Sequence, residues 1–133
     1  MQTWGRLITA LALGGALMAC EETQPIVGSD NVFVLPNLVF TIQERVIADN
    51  ALVARGTISN QGDTKYTPVW YVEAEFYRDD GFTYKLGGAN QSISFTLAKG
   101  EETGWELKLR SYDFDVNQFP KFAIKNLRAI RPK

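Results

Sequence analysis

The chain has 133 residues, of which 45% are hydrophobic, 12% aromatic and 22% charged, a composition for one folded domain and not for a disordered chain. With 14 Lys and Arg against 15 Asp and Glu, the net charge of −1 gives no field for steering nucleic acid. There is no histidine and only one cysteine, which excludes a histidine general base, His-paired nucleophiles, His-ligated zinc, cysteine metal clusters and an internal disulfide.

Residues 1–19 read as a processing segment. Arg6 is a short basic start, and Leu7 to Leu17 is an uncharged apolar run of eleven residues. As a helix rising ~1.5 Å per residue this covers about half of a ~30 Å hydrocarbon core, which suits an export signal better than a membrane span. The run closes on Leu17, Met18, Ala19 and Cys20. These four residues resemble a bacterial lipobox, with Met18 where a small residue is usual. The resemblance implies cleavage between Ala19 and Cys20, thioether lipidation of Cys20 and acylation of the new amino terminus. Two or three acyl chains make membrane attachment effectively permanent where one is marginal. With Glu21 after the cysteine, the implied address is the outer membrane, facing the periplasm. A plain secretory signal with an incidental cysteine, or an amino-terminal anchor helix, is the alternative.

Residues 20–36 are expected to be the lipidated cysteine and a flexible tether, because Glu21 to Asp30 mixes acids, a proline and a glycine without periodicity. Residues 37–133 are expected to form the folded body, and their dominant pattern is alternation. Leu38, Phe40, Ile42 and Val46 are interleaved with Thr41, Gln43 and Arg45, and Ala48 to Ala51 is a turn candidate. Leu52, Ala54, Gly56 and Ile58 then face one way, before a turn at Asn60-Gln61-Gly62-Asp63. From Val69 to Tyr77 the pattern puts Trp70, Val72, Ala74 and Phe76 on one face and Tyr71, Glu73, Glu75 and Tyr77 on a wet one. Asp80-Gly81 is expected to close a hairpin. A strand at Phe82–Leu86, a loop through Gly87-Gly88-Ala89-Asn90, and a strand with Ile93, Phe95 and Leu97 inward follow. Trp105, Leu107 and Leu109 form the next strand. In the last, about Lys121 to Arg131, Phe122 and Ile124 share one phase and Leu127 and Ala129 the other, which predicts a bulge near Asn126. No segment carries a sustained helical stripe. The fold class is therefore all-β, an antiparallel immunoglobulin-like β-sandwich of about seven strands following the cleaved signal helix, with a small closed barrel as the runner-up.

Three stretches carry a further likeness. Gly56 to Asp63, the hairpin Phe76-Tyr77-Arg78-Asp79-Asp80-Gly81, and Leu97 to Glu102 with Trp105-Glu106-Leu107 resemble the FxLYD-like domains of bacterial envelope lipoproteins. Arg78 and Lys99 stand where that family usually has aspartate and proline. The likeness spans roughly residues 52–110 and implies a binding or scaffolding module with no catalytic residues and no cofactor.

The candidate chemistry is sparse. Asp79/Asp80 and Glu101/Glu102 fall in predicted turns, where acids cap backbone amides. Asp113, Asp115 and Asn117 have the oxygen spacing that opens an EF-hand loop, but Gln118 and Ile124 replace the required glycine and bidentate glutamate. Gly87-Gly88 lacks the strand–turn–helix setting of a phosphate loop. Arg128, Arg131 and Lys133 are a cationic end that can touch anionic lipid or partner carboxylates. The strand face of Tyr71, Glu73, Glu75 and Tyr77 is the candidate partner or ligand surface, since tyrosine joins flat apolar area to a hydroxyl. The expected function is a lipid-anchored, non-enzymatic envelope module that binds another envelope protein. A carbohydrate- or small-ligand-binding module using the same aromatic face is the alternative.

Overall fold

The computed structural model describes residues 27–133; the expected signal segment, with Ala19 and Cys20 at its expected cleavage site, and the start of the expected tether lie outside the described residues. Seven strands follow one another as β1 (Val32–Val34), β2 (Leu38–Ala48), β3 (Ala51–Asn60), β4 (Trp70–Tyr77), β5 (Lys85–Ile93), β6 (Glu102–Leu109) and β7 (Ala123–Pro132). They form two antiparallel sheets, a four-stranded one ordered β1-β7-β4-β5 and a three-stranded one ordered β2-β3-β6. The interlocked pairs β3–β6 and β4–β7 give the Greek-key crossing of an immunoglobulin-like sandwich, with β1 standing beside β7 at the sheet edge. Both sheets keep free edges, so the molecule is a sandwich and not a closed barrel.

The alternation sorts the side chains as period-two geometry demands. Trp70, Val72, Ala74 and Phe76 of β4 are wholly buried, facing Leu52, Ala54 and Ile58 of β3 and Trp105, Leu107 and Leu109 of β6. Phe76 stacks on Phe122 at 5.8 Å between ring centres. The β2–β3 turn is closed by Asp49 and Asn50, both at positive φ, as a two-residue hairpin matched to strand twist requires. The expected bulge is present in β7. Glu73 pairs with Arg128 but Glu75 pairs with Lys125, and Asn126 takes the positive φ of 59° that absorbs the extra residue.

Four expectations need correction. The segment 20–36 is not all tether, because Val32–Val34 pairs with β7 and Leu35 is buried in the core. In β2 a register shift between Ile42 and Glu44 reverses the phase. Leu38, Phe40 and Ile47 therefore pack on the core, while Ile42 is left exposed. Gly87 and Gly88 are not a loop but the middle of β5, and Phe95 lies outside any strand and is exposed. The β4–β5 connection is wider than an Asp80-Gly81 hairpin: Arg78 N–H bonds the Tyr84 carbonyl, and Asp79 caps Gly81 N–H at 3.0 Å.

Candidate functional site

The outer face of β4 carries Tyr71, Glu73, Glu75 and Tyr77 side by side, as the alternation predicts. That face is not uniformly wet. Glu73 is only 1% exposed, because residues 27–31 cross over it on their way to β1. Gly28 N–H donates to Glu73 Oε2 at 3.0 Å and Arg128 Nε donates to the same oxygen at 2.8 Å. Arg128 also donates to the Ser29 carbonyl at 2.9 Å, so one guanidinium holds both the buried carboxylate and the crossing strap. Gly88 explains its own presence in β5. A Cβ there would lie 2.7 Å from Val27, so the strap seats on a strand position only glycine leaves open. Among the described residues Glu73 Oε1 has no hydrogen-bond partner. Its residue lines a cavity of about 350 Å³ with Val27, Gly28, Glu75, Asn126, Leu127 and Arg128.

The rest of the face is a second network. Glu75 accepts from Tyr77 Oη at 2.9 Å, Asn126 Nδ2 at 2.8 Å and Lys85 Nζ at 3.2 Å. Burial opposes ionisation of Glu75, but these three donors outweigh it and hold the carboxyl below its ordinary 4.5. The same bond pushes the Tyr77 hydroxyl up. The Tyr77 ring meets Phe82 edge-on at 5.4 Å, and Lys125 sits 5.2 Å over Phe82. Tyr71 is half-buried between Ser92 and Ile130.

On the opposite sheet, hydrogen bonds from Arg55 to Glu106 and Glu44 join all three strands, and the first of these lowers the Glu106 pKa. Glu75 and Glu106 both ionise more easily folded than unfolded. Their contribution is present above the unfolded carboxylate range and is lost as pH falls through the folded values. The thermal midpoint is accordingly expected to hold steady through neutral pH and to drop below about pH 4.5, with Glu75→Gln making that drop shallower. A pH series of thermal melts on both proteins checks this.

The strap makes its own prediction. Arg128→Ala leaves Glu73 buried without its counter-charge and is expected to cost about 2–3 kcal/mol, towards the low end for a broken buried pair because the guanidinium is partly open to water. Glu73→Leu removes the charge itself and should cost clearly less. Chemical denaturation of the two variants tests the order, and equal losses would contradict it.

The remaining candidates are dispersed. Asp115 caps the 3-10 turn Val116–Gln118, its Oδ1 taking Asn117 N–H at 3.0 Å and Asn117 Nδ2 at 3.1 Å, while Asp113 N–H bonds Ser111. Among the described residues no group of three His, Cys, Asp or Glu is placed to hold a metal. Nearby, an open cavity of about 520 Å³ is lined by Asp49, Asn50, Arg110, Tyr112, Phe114 and Asp115, among others. The cationic end is divided: Arg128 belongs to the strap, Arg131 donates to the Thr67 carbonyl and Lys133 lies 5.5 Å over Phe33. Sequence reasoning placed Glu73 on the right face but missed its cover. Gly28 and Ser29 carry no local sign of the contact, whereas the β7 phase change, which brings Arg128 opposite Glu73, was a usable signal.

The other chemically open surface is β2. It pairs with β3 alone and runs for eleven residues at the edge of its sheet, with Val39 52% and Ile42 46% exposed. No described helix is long and apolar enough to cross a membrane. No family model, no curated protein and no solved structure matches the chain.

Proposed function

We propose that this protein is a lipid-anchored module of the bacterial cell envelope, held through Cys20, that binds or scaffolds another envelope protein and turns over no substrate. The lipobox-like run Leu17–Cys20 supports the anchor, and Glu21 after it supports the outer-membrane address facing the periplasm. The likeness of residues 52–110 to FxLYD-like domains supports a binding role.

The observation that carries the binding role is the β2 edge. Natural sheets blunt long edges with charge, proline or cover, because a row of unpaired backbone groups templates pairing with another chain. Among the described residues β2 has β3 as its one neighbouring strand; the register shift between Ile42 and Glu44, with Glu44 and Arg45, blunts its second half, but Leu38–Ile42 is left open with Val39 and Ile42 exposed along it. That is the geometry of strand addition, in which backbone bonds supply affinity and alternate side chains supply specificity. The Tyr71–Tyr77 face suits a ligand less well, since the Tyr77 hydroxyl is engaged by Glu75 and Glu73 lies under the strap.

Capture from native membranes by full-length protein tests the reading. Val39→Lys with Ile42→Lys is expected to leave the β-sheet circular-dichroism spectrum unchanged and to abolish capture of a specific envelope protein, whereas Tyr71→Ala with Tyr77→Ala leaves capture intact. Retention on peptidoglycan or polysaccharide that is lost only in the tyrosine variant would overturn it in favour of a ligand-binding module.

A further inference from the structure

We propose that the strap formed by residues 27–31 fixes the orientation of the sandwich on the membrane. It holds the outer surface of the β4–β5 hairpin against lipid headgroups and turns β2 away from them. The inference rests on Cys20 being the anchor.

Val27 lies seven chain steps after Cys20, and at ~3.4 Å per step these reach at most about 24 Å. The point where the chain meets the sandwich is therefore kept close to the bilayer. That point is not a corner of the domain but a fixed place on the outer face of the four-stranded sheet. Val27 is seated on Gly88, Gly28 is bonded to Glu73 and Ser29 is bonded to Arg128. Without these contacts the tether would begin at β1 and the domain would pivot freely.

The surface around the exit has the chemistry of a headgroup contact. Gly88 pairs with Glu75, and Tyr77 beside it pairs with Lys85. This brings the Tyr77 and Phe82 rings, exposed Tyr84 and Lys125 to one region, where the Tyr77 hydroxyl and Lys85 are held by Glu75 and Asp79 and Asp80 lie in the same connection. Aromatic rings with polar tips, together with lysines on long apolar stems, are the side chains that settle at a membrane–water interface. The partner edge lies diagonally opposite. β5 packs against β6 and β7 against β2, so β2 is on the other sheet and on the far side of the sandwich from Gly88. An orientation that places Tyr84 on lipid leaves Val39 and Ile42 open to the envelope space.

Because Cys20 is the only cysteine and is acylated in this reading, one introduced cysteine provides a unique labelling site. Lipidated full-length protein bearing a fluorophore at Thr83→Cys or Val39→Cys is reconstituted in phosphatidylethanolamine–phosphatidylglycerol vesicles containing a headgroup-nitroxide lipid. Flotation with the vesicles reports the anchor, and quenching reports the orientation. The expected result is flotation of both proteins, with quenching several-fold stronger at Thr83 than at Val39. Adding Gly28→Pro, which removes the donor to Glu73 and cannot adopt that residue's φ of +84°, is expected to bring the two signals together while the sheet spectrum persists. Flotation with equal quenching at both sites overturns the orientation and leaves the anchor standing. Unchanged asymmetry in the Gly28→Pro protein overturns the strap's role. Failure to float overturns the anchor and this proposal with it.

Discussion

Gly56→Ala is expected to destabilise the sandwich by about 3–4 kcal/mol, at the upper end for overpacking, since the added carbon cannot be absorbed by side-chain movement. Gly56 lies in β3 between Ile42 of β2 and Trp105 of β6. A Cβ there would fall 1.7 Å from the Thr41 carbonyl oxygen, 2.8 Å from its carbon and 3.0 Å from the Trp105 ring. Two of the three obstacles are backbone, so β2 must move away from β3 just where the register already shifts. Gly104→Ala is the control. Its Cβ would meet nothing nearer than the Gly56 carbonyl oxygen at 3.6 Å, and at this exposed strand position the change is expected to fall within about 0.5 kcal/mol of zero. Urea denaturation of the pair separates the contact from the general effect of replacing a strand glycine.

Asn60→Ala is expected to cost about 3 kcal/mol and Asn60→Asp more, because Asn60 is wholly buried with its side-chain amide engaged on both sides. Its Nδ2 donates to the carbonyls of Thr64 at 2.8 Å and Leu97 at 3.0 Å, and its Oδ1 accepts from Gly62 N–H at 3.0 Å. Its backbone bonds Glu101 O and Gly100 N–H at 2.9 and 2.8 Å. One residue thus ties the 61–66 loop and the 97–101 turn to the end of β3. Alanine takes the side-chain partner from the Thr64 carbonyl and from Gly62 N–H and leaves the Leu97 carbonyl with its Tyr66 N–H bond alone. Aspartate sets a carboxylate oxygen against these carbonyls and brings a charge into a wholly buried position. Denaturation midpoints should rank native, Ala, Asp. A fully stable Asn60→Asp protein would show that these bonds hold nothing in place.

What the sequence made legible follows from the range of the forces involved. The inward faces of β3, β4 and β6 were readable because burial acts at every second residue, so Trp70, Phe76 and Trp105 declare themselves by parity. The β7 bulge was readable too, since Phe122 and Leu127 could not otherwise share a core. By contrast, β5 contains Gly87, Gly88, Asn90 and Gln91 and buries few large side chains, so it carries almost no alternation. Its glycines answer to Leu109 and Val27, which lie far away in the chain. β1 is three residues long and was absorbed into the tether for the same reason. The candidate face was half legible: its four residues are adjacent as predicted, but whether a strand face is wet depends on what crosses it. Nothing in Val27–Asn31 announces that it lies over Glu73.

The central claim is that the sandwich is tied to a membrane through Cys20. Metabolic labelling with a radioactive fatty acid, followed by alkaline extraction of membranes, tests it most directly in native protein and in Cys20→Ser. The account predicts that native protein carries the label and stays with the membrane pellet, and that the serine variant loses the label and enters the soluble fraction. Native protein recovered unlabelled in the soluble fraction, or a serine variant that remains labelled and sedimenting, would contradict it.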